Sequence, residues 1–194
     1  MYALEIATSG RPGPVWIDVP LDFQWKMAPK FSLLPEKKLK MINSSKNLAT
    51  GVDQLRILLN ESNSPLLVLG YGIYLAKSVK STRDLIKKHQ FMTVCTWTAA
   101  GILASDDPLN LGIIGMSGQP GANKAMFNAD LIICLGTHLA IPHTTTLTGS
   151  YAPQAKKVFI NIDQDQLDYL NIKSDLSINC SLEEFFPAFS NFIF

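Results

Sequence analysis

Several things are scarce in this chain, and each scarcity excludes a class of function. An excess of charge is absent: 17 basic residues stand against 16 acidic ones among 194. No basic stripe or acidic tail is present, so nucleic acid and anionic membrane surfaces are poor partners on electrostatic grounds. Cysteine is sparse, with Cys95, Cys134 and Cys180 far apart. That spacing gives neither a metal pattern nor a disulfide framework. Buried free thiols in a reducing cytoplasm are expected, and the chain is assigned there. No apolar run approaches the ~18 residues needed to span a membrane. The N-terminus lacks the basic and apolar regions of a secretory signal. No nucleophile–base pair stands out, so no catalytic residue is assigned within the chain.

Apolar residues are plentiful, at 47%, enough for one α/β domain with an appendage. The first stretch, Tyr2 to Ala7, reads as a helix end running into the turn Ser9-Gly10-Arg11-Pro12-Gly13-Pro14. A short apolar run from Val15 to Val19 follows and Pro20 closes it, which predicts one buried strand. A helix end and a strand at this place have no partners nearby, so they are expected to be the tail of a domain whose body lies upstream. Residues 20–47 change texture: Pro20, Pro29 and Pro35 recur, with Lys37, Lys38, Lys40 and Lys46 among polar residues. This is linker chemistry. The division expected is 1–24 remnant, 25–47 linker and 48–194 main domain.

From there strands and helices alternate. Val52 to Leu59 suits one helical face through Val52, Leu55, Ile57, Leu58 and Leu59. Leu66 to Leu69 is a buried strand, Ala76 to His89 an amphipathic helix and Phe91 to Thr96 a second strand. Gly115 to Ala122 is a glycine-rich loop leading into a helix over Asn123 to Asn128. Leu131 to Leu135, Val158 to Ile162 and Leu176 to Cys180 are further strands. Ser181 and Glu184 form the Ser-x-x-Glu capping box of a last helix. This alternation predicts an α/β fold, a Rossmann-like parallel sheet covered by helices on both faces.

Ligands of such sheets bind beyond the carboxyl ends of the strands. Those ends are Gly70-Tyr71-Gly72, Thr96-Trp97, Gly136-Thr137-His138 and Asp163-Gln164. Their glycines suit close backbone approach to a ligand, and equally suit tight β–α turns. Gly70-x-Gly72 is no dinucleotide fingerprint, because Leu75 stands where a third glycine would be needed. The loop from Gly115 through Met116, Ser117 and Gly118 enters a helix and could offer N–H groups to an anion. It could equally be a plain helix entry. His138 and His143 lie five apart with no third ligand spaced with them, so no metal site is assigned. Trp97 could stack on a ring or shield an interface.

Three blocks, "SGRPGPVWIDVPLDFQ", "LGIIGMSGQPGANKAMFNADLIICLGTHL" and "KKVFINIDQDQL", resemble thiamine-diphosphate enzymes of the acetolactate synthase type. The first resembles the end of the pyrimidine-binding domain, the others the central domain. The resemblance implies a six-stranded central domain within a larger enzyme that decarboxylates a 2-oxo acid and ligates the product to a second carbonyl. It implies thiamine diphosphate and Mg²⁺ in the parent enzyme, held by flanking pyrimidine- and diphosphate-binding domains, and a homo-oligomeric parent. This chain has no Gly-Asp-Gly, and Glu5 lies too close to the domain end to match the activating glutamate. The chain alone is therefore expected to be inactive and to bind neither group.

The resemblance also implies FAD contacts at Gly70, Tyr71, Gly72, Thr96, Trp97, Gly115, Met116, Ser117, Gly118, Gly136, His138 and Asp163. Departures count against FAD here. His138 replaces the arginine of Gly-x-Arg-Phe-Asp-Asp-Arg, and the acid pair and second arginine are gone. Asn161 replaces an acid, and Cys180 stands where an acid often lies near adenine. The alternative reading is a self-standing nucleotide-binding or regulatory module without catalysis, which the fold alone would permit.

Overall fold

The computed structural model describes residues 2–27, 48–144, 151–168 and 172–190. The chain divides into two units, residues 1–43 and 44–194.

In the first unit, helices α1 (Tyr2–Thr8) and α2 (Leu21–Gln24) bury no residue. The Gly13 N–H closes the turn onto the Ala7 carbonyl at 3.0 Å. As expected of a strand-like run without partners nearby, Val15 to Val19 form no ladder among the described residues and are exposed throughout. A strand is a pairing and not a property of one segment, so an apolar run without a neighbouring strand stays single. Trp16 is 91% exposed and Met27 96%. The linker expected over 25–47 lies outside the described residues from 28 onward.

The second unit carries a six-stranded sheet in the order β3-β2-β1-β4-β5-β6. Its strands are β1 (Pro65–Leu69), β2 (Met92–Cys95), β3 (Asn110–Ile113), β4 (Leu131–Leu135), β5 (Lys156–Asn161) and β6 (Leu176–Asn179). Every pairing is parallel. Successive side chains of β1, β4 and β5 enter opposite layers. Leu67, Leu69, Ile133, Leu135, Val158 and Ile160 pack in one core. Leu66, Val68, Ile132, Cys134 and Phe159 pack in the other. A strand buried on both faces must be apolar at every position, which is why these runs do not alternate with polar residues. Each such side chain contributes roughly 1.5–3 kcal/mol of burial.

Helices α3 (Leu48–Glu61), α5 (Val79–His89) and α9 (Leu182–Ser190) cover the first face. Helices α6 (Pro120–Asn128) and α8 (Gln164–Asp168) contribute to the second. Short helices α4 (Gly72–Leu75) and α7 (Ile141–Thr144) follow β1 and β4. The capping box is realised: the Glu184 N–H donates to Ser181 Oγ at 3.2 Å, and the Ser181 N–H to Glu184 Oε2 at 3.3 Å.

Three local expectations need correction, and one strand was not expected. The helix expected from Asn123 begins at Pro120. The helix expected from Ala76 begins at Val79, because the chain first turns through α4 and Lys77 takes a left-handed φ of 49°. Ile57 faces solvent; the buried residues of α3 are Gly51, Val52, Leu55 and Leu59. Strand β3 did not stand out from the residues. It is a half-buried edge strand interrupted by Gly112, with a register shift against β2. The thiols of Cys95, Cys134 and Cys180 are free and buried as expected. Burial pushes Cys134 and Cys180 up to about 12.

Candidate functional site at the carboxyl end of the sheet

Strand order reverses between β1 and β4, the place where open parallel sheets leave a crevice. Here the two exits are drawn together. The Gly70 N–H donates to the Leu135 carbonyl at 2.9 Å, and the Gly72 N–H to the Gly136 carbonyl at 3.0 Å. A Cβ on Gly70 would overlap the Gly136 carbonyl, and one on Gly72 would lie 2.8 Å from Gly136 Cα. Gly136 itself has φ +57°. These glycines are required by contact of two backbones, whatever else they do.

The next exits are tied in by amide side chains. Asn161 Nδ2 donates to the Thr137 carbonyl at 3.0 Å, and Asn161 Oδ1 accepts the Asp163 N–H at 3.1 Å. Asp163 Oδ1 accepts the Gln166 N–H at 3.2 Å at the start of α8. His138 Nδ1 meets the Gln166 side-chain amide. His138 and Asp163 thus converge on one residue, Gln166.

On the β2 side, Thr96 is buried and its N–H donates to the Leu69 carbonyl at 3.0 Å. Trp97 is half-exposed and meets the His143 ring at 5.4 Å between centroids, at 66°. Tyr71, also half-exposed, packs on Tyr74 at 5.7 Å.

The glycine-rich loop gives the N–H groups of Gly115, Met116 and Gly118 to protein partners. Gly115 donates to Asn123 Oδ1 at 2.9 Å, and Asn123 Nδ2 returns a bond to the Gly115 carbonyl at 2.9 Å. Met116 donates to the Pro142 carbonyl at 2.8 Å and Gly118 to Gly115 at 3.0 Å. Gln119 clasps Ile113 through its own N–H at 2.8 Å and through its side-chain oxygen. A Cβ on Gly115 would overlap the Pro142 carbonyl and lie 3.0 Å from His143 Cα. The loop is therefore pressed onto α7, with Met116 and Ser117 facing solvent.

The carboxyl end thus collects three groups: Gly70, Gly72 and Gly136; His138 and Asp163 through Gln166; and Trp97, Gly115 and Met116 around α7. Sequence reasoning missed Asn123, Gln119, Gln166 and Asn161, whose amides hold the turns together. Gln119 and Asn123 could have been found as polar residues close to Gly118 and Gly121, and Asn161 as a polar residue inside an apolar run; Gln166 carried no such signal. His143 was set aside as an ordinary loop histidine. Both of its ring nitrogens are buried and have no hydrogen-bond partner among the described residues. Burial, reinforced by the nearby His138, lowers its affinity for a proton. No group of three or more His, Cys, Asp or Glu among the described residues could hold a metal ion. No helix among them is long and apolar enough to cross a membrane.

Comparison with known proteins agrees with this architecture. The large subunit of acetolactate synthase isozyme 2 from Escherichia coli is 29% identical over 189 residues, 96% of this chain and 33% of that protein. The isozyme 1 large subunit is 34% identical over 168 residues, 85% of this chain and 28% of that protein. The mitochondrial acetolactate synthase catalytic subunit of Saccharomyces cerevisiae is 32% identical over 163 residues, 80% of this chain and 24% of that protein. The chain spans about a third or less of these relatives. The family model of the thiamine pyrophosphate enzyme central domain matches residues 52–189. With a parallel six-stranded sheet over the same residues, the chain belongs to the central-domain family of thiamine pyrophosphate (thiamine diphosphate) enzymes.

Proposed function

We propose that this chain is the central scaffold of an acetolactate-synthase-like enzyme that decarboxylates a 2-oxo acid and ligates the product to a second carbonyl. The observation that carries this reading is the central-domain match over residues 52–189, joined to relatives that are acetolactate synthases. The same match counts against a self-standing regulatory module. Thiamine diphosphate, when bound to the parent enzyme, supplies the electron sink for decarboxylation. The residues here do not fit that cofactor's Mg²⁺–diphosphate anchor: the sequence has no Gly-Asp-Gly, and the described residues hold no metal-binding cluster. The chain's own contribution is therefore shape, supplied with partner domains and a homo-oligomeric assembly in the reducing cytoplasm.

The positions expected to face a nucleotide are Gly70 to Gly72, Thr96, Trp97, Gly115 to Gly118, Gly136, His138 and Asp163. Tyr71, Trp97 and Met116 offer exposed flat or apolar contact. Phosphate anchoring is weak by comparison. The N–H groups of Gly115, Met116 and Gly118 are already bonded, and His138 stands in place of an arginine. Losing two charge-assisted anchors costs on the order of 3–6 kcal/mol, roughly a hundredfold to ten-thousandfold in affinity. FAD is thus expected to bind weakly.

Two measurements test the reading. The chain incubated with pyruvate, thiamine diphosphate and Mg²⁺ should form no acetolactate above blank, whereas joining it to flanking domains of a relative should restore turnover. Failure of every such chimera, each shown to be folded, would overturn the scaffold role. Titration with FAD, followed by flavin fluorescence, should show no submicromolar binding; submicromolar binding would restore a conventional flavin site.

A further inference from the structure

The contact between α7 and the glycine-rich loop has an unusual centre. Gly115 lies against the Pro142 carbonyl and His143 Cα so closely that no side chain fits between them. Met116 donates its N–H to the Pro142 carbonyl at 2.8 Å. Trp97 covers the His143 ring from the β2 side. Inside this junction, His143 Nδ1 and Nε2 are shut off from water without a partner among the described residues.

A neutral imidazole tolerates such a place poorly, because its N–H goes unbonded. An imidazolium tolerates it far worse, because a second donor and a full charge are then buried. Among the described residues no hydrogen-bond partner compensates. From the β4 exit, His138 faces it and adds like charge. The Gly115–Gln119 loop, the Trp97–Ala99 turn, the Gly70–Gly72 turn and α7 carry no carboxylate. The sequence from Thr145 to Ser150 carries no ionisable side chain.

We propose that His143 is a pH-sensitive latch: neutral, it holds the Gly115–Gly118 loop against α7 beside Trp97, and protonated, it swings to water and frees the loop. The sign follows from linkage. The latched state binds the proton less readily than a free histidine, so latching is fully stabilised above the ordinary value near 6.5. It weakens as pH falls below that value and through the lower latched value. Release would expose the N–H of Met116 at the sheet's carboxyl end, whether or not that end takes a nucleotide.

The test uses the full chain carrying Trp16→Phe and Trp25→Phe, which leaves Trp97 as its sole tryptophan. Between pH 8 and pH 5, Trp97 emission should show one transition with a midpoint below 6.5. Exchange of the Met116 amide, corrected for intrinsic pH dependence, should quicken by roughly tenfold or more across it. His143→Phe should abolish the transition, and His138→Gln should keep it but move it upward. NMR titration of the His143 ring in the otherwise unaltered chain should give the same midpoint, independently of how well the Phe variant folds. The latch is overturned if the transition survives in a folded His143→Phe chain. A ring that titrates at 6.5 or above, or Met116 exchange that ignores His143 protonation, would overturn it equally.

Discussion

The two ends of the parallel sheet are closed by different chemistry. At the amino end the closing groups are charged. Asp130, just before β4, accepts the Asn63 N–H at 2.7 Å, the Ser64 N–H at 3.0 Å and the Ser62 hydroxyl. Asp175 accepts the Lys157 N–H at 2.8 Å, and Glu61 pairs with Lys156 at 2.8 Å. At the carboxyl end the closing groups are largely neutral: backbone on glycine backbone, and the amides of Asn123, Asn161, Gln119 and Gln166. A carboxylate suits the amino end because strand N–H groups there lack ladder partners and solvent shields the charge. None of those neutral closing groups is a cation. The difference predicts that the two ends fail under different perturbations.

The largest effect is expected at the glycine contact. Gly70→Ala places a Cβ into the Gly136 carbonyl and 2.5 Å from Thr137 Cα, with backbone rather than a movable side chain as the obstacle. Separating β1 from β4 at their exits should cost about 3 kcal/mol, seen as a lower midpoint in urea with little change in slope. Gly121→Ala is the control, because a Cβ there meets nothing within 4 Å. A Gly70→Ala chain as stable as its parent would show that the exits are not clasped.

The amide ties come next. Asn123→Ala removes both bonds to Gly115 and leaves a buried N–H without its acceptor. A cost of about 2 kcal/mol is expected. Met116 and Gly118 should exchange their amide hydrogens faster, while Asn63 and Ser64 should not. Equal acceleration at both ends would dissolve the distinction between them.

What the sequence disclosed follows the same divide. Strands buried on two faces announce themselves as unbroken apolar runs, so β1, β4 and β5 were legible to within two residues at either end. The capping box at Ser181 and Glu184 was legible because it is local. Strand β3 was not, since an edge strand with Gly112 inside it carries half the apolar signal. The Val15–Val19 run is the opposite case: it has the composition of a strand and, as expected, no partner to pair with among the described residues. At the site, the glycine positions and their placement at strand exits were legible. Their division of labour was not, because whether an N–H faces a ligand or Asn123 depends on contacts between segments remote in sequence. His143 looked ordinary for the same reason; its burial comes from Trp97 and Gly115.

Protonation separates the ends further. Burial alone would raise the Asp130 carboxyl, but the bonds from Ser62, Asn63 and Ser64 outweigh it and hold the group below its usual value of 3.8. The stability it contributes is therefore complete above 3.8 and is lost as pH falls through the lower folded value. Asp130→Asn should cost about 1 kcal/mol at neutral pH, since the site is only half-buried and water can partly replace the lost bonds. It should also flatten the fall of stability between pH 4 and pH 2. His143 acts in a separate window, below 6.5. An Asp130→Asn chain with an unchanged acid limb would place the amino-end lock elsewhere.

The smallest effect is expected where the drawn interaction looks strongest. Lys156 and Glu61 meet at 2.8 Å, and the pair raises the lysine's proton affinity. Both side chains are more than half exposed, however, so water and salt compete for each charge. Holding two long side chains in one geometry also costs rotamer freedom. Glu61→Gln should leave the urea midpoint within experimental error at physiological salt. A measurable loss that vanishes in high salt would show that the pair works as part of a network with Asp175, which also acts on Lys156. Amino-end stability would then rest on collective charge, and not on the directed hydrogen bonds of Asp130.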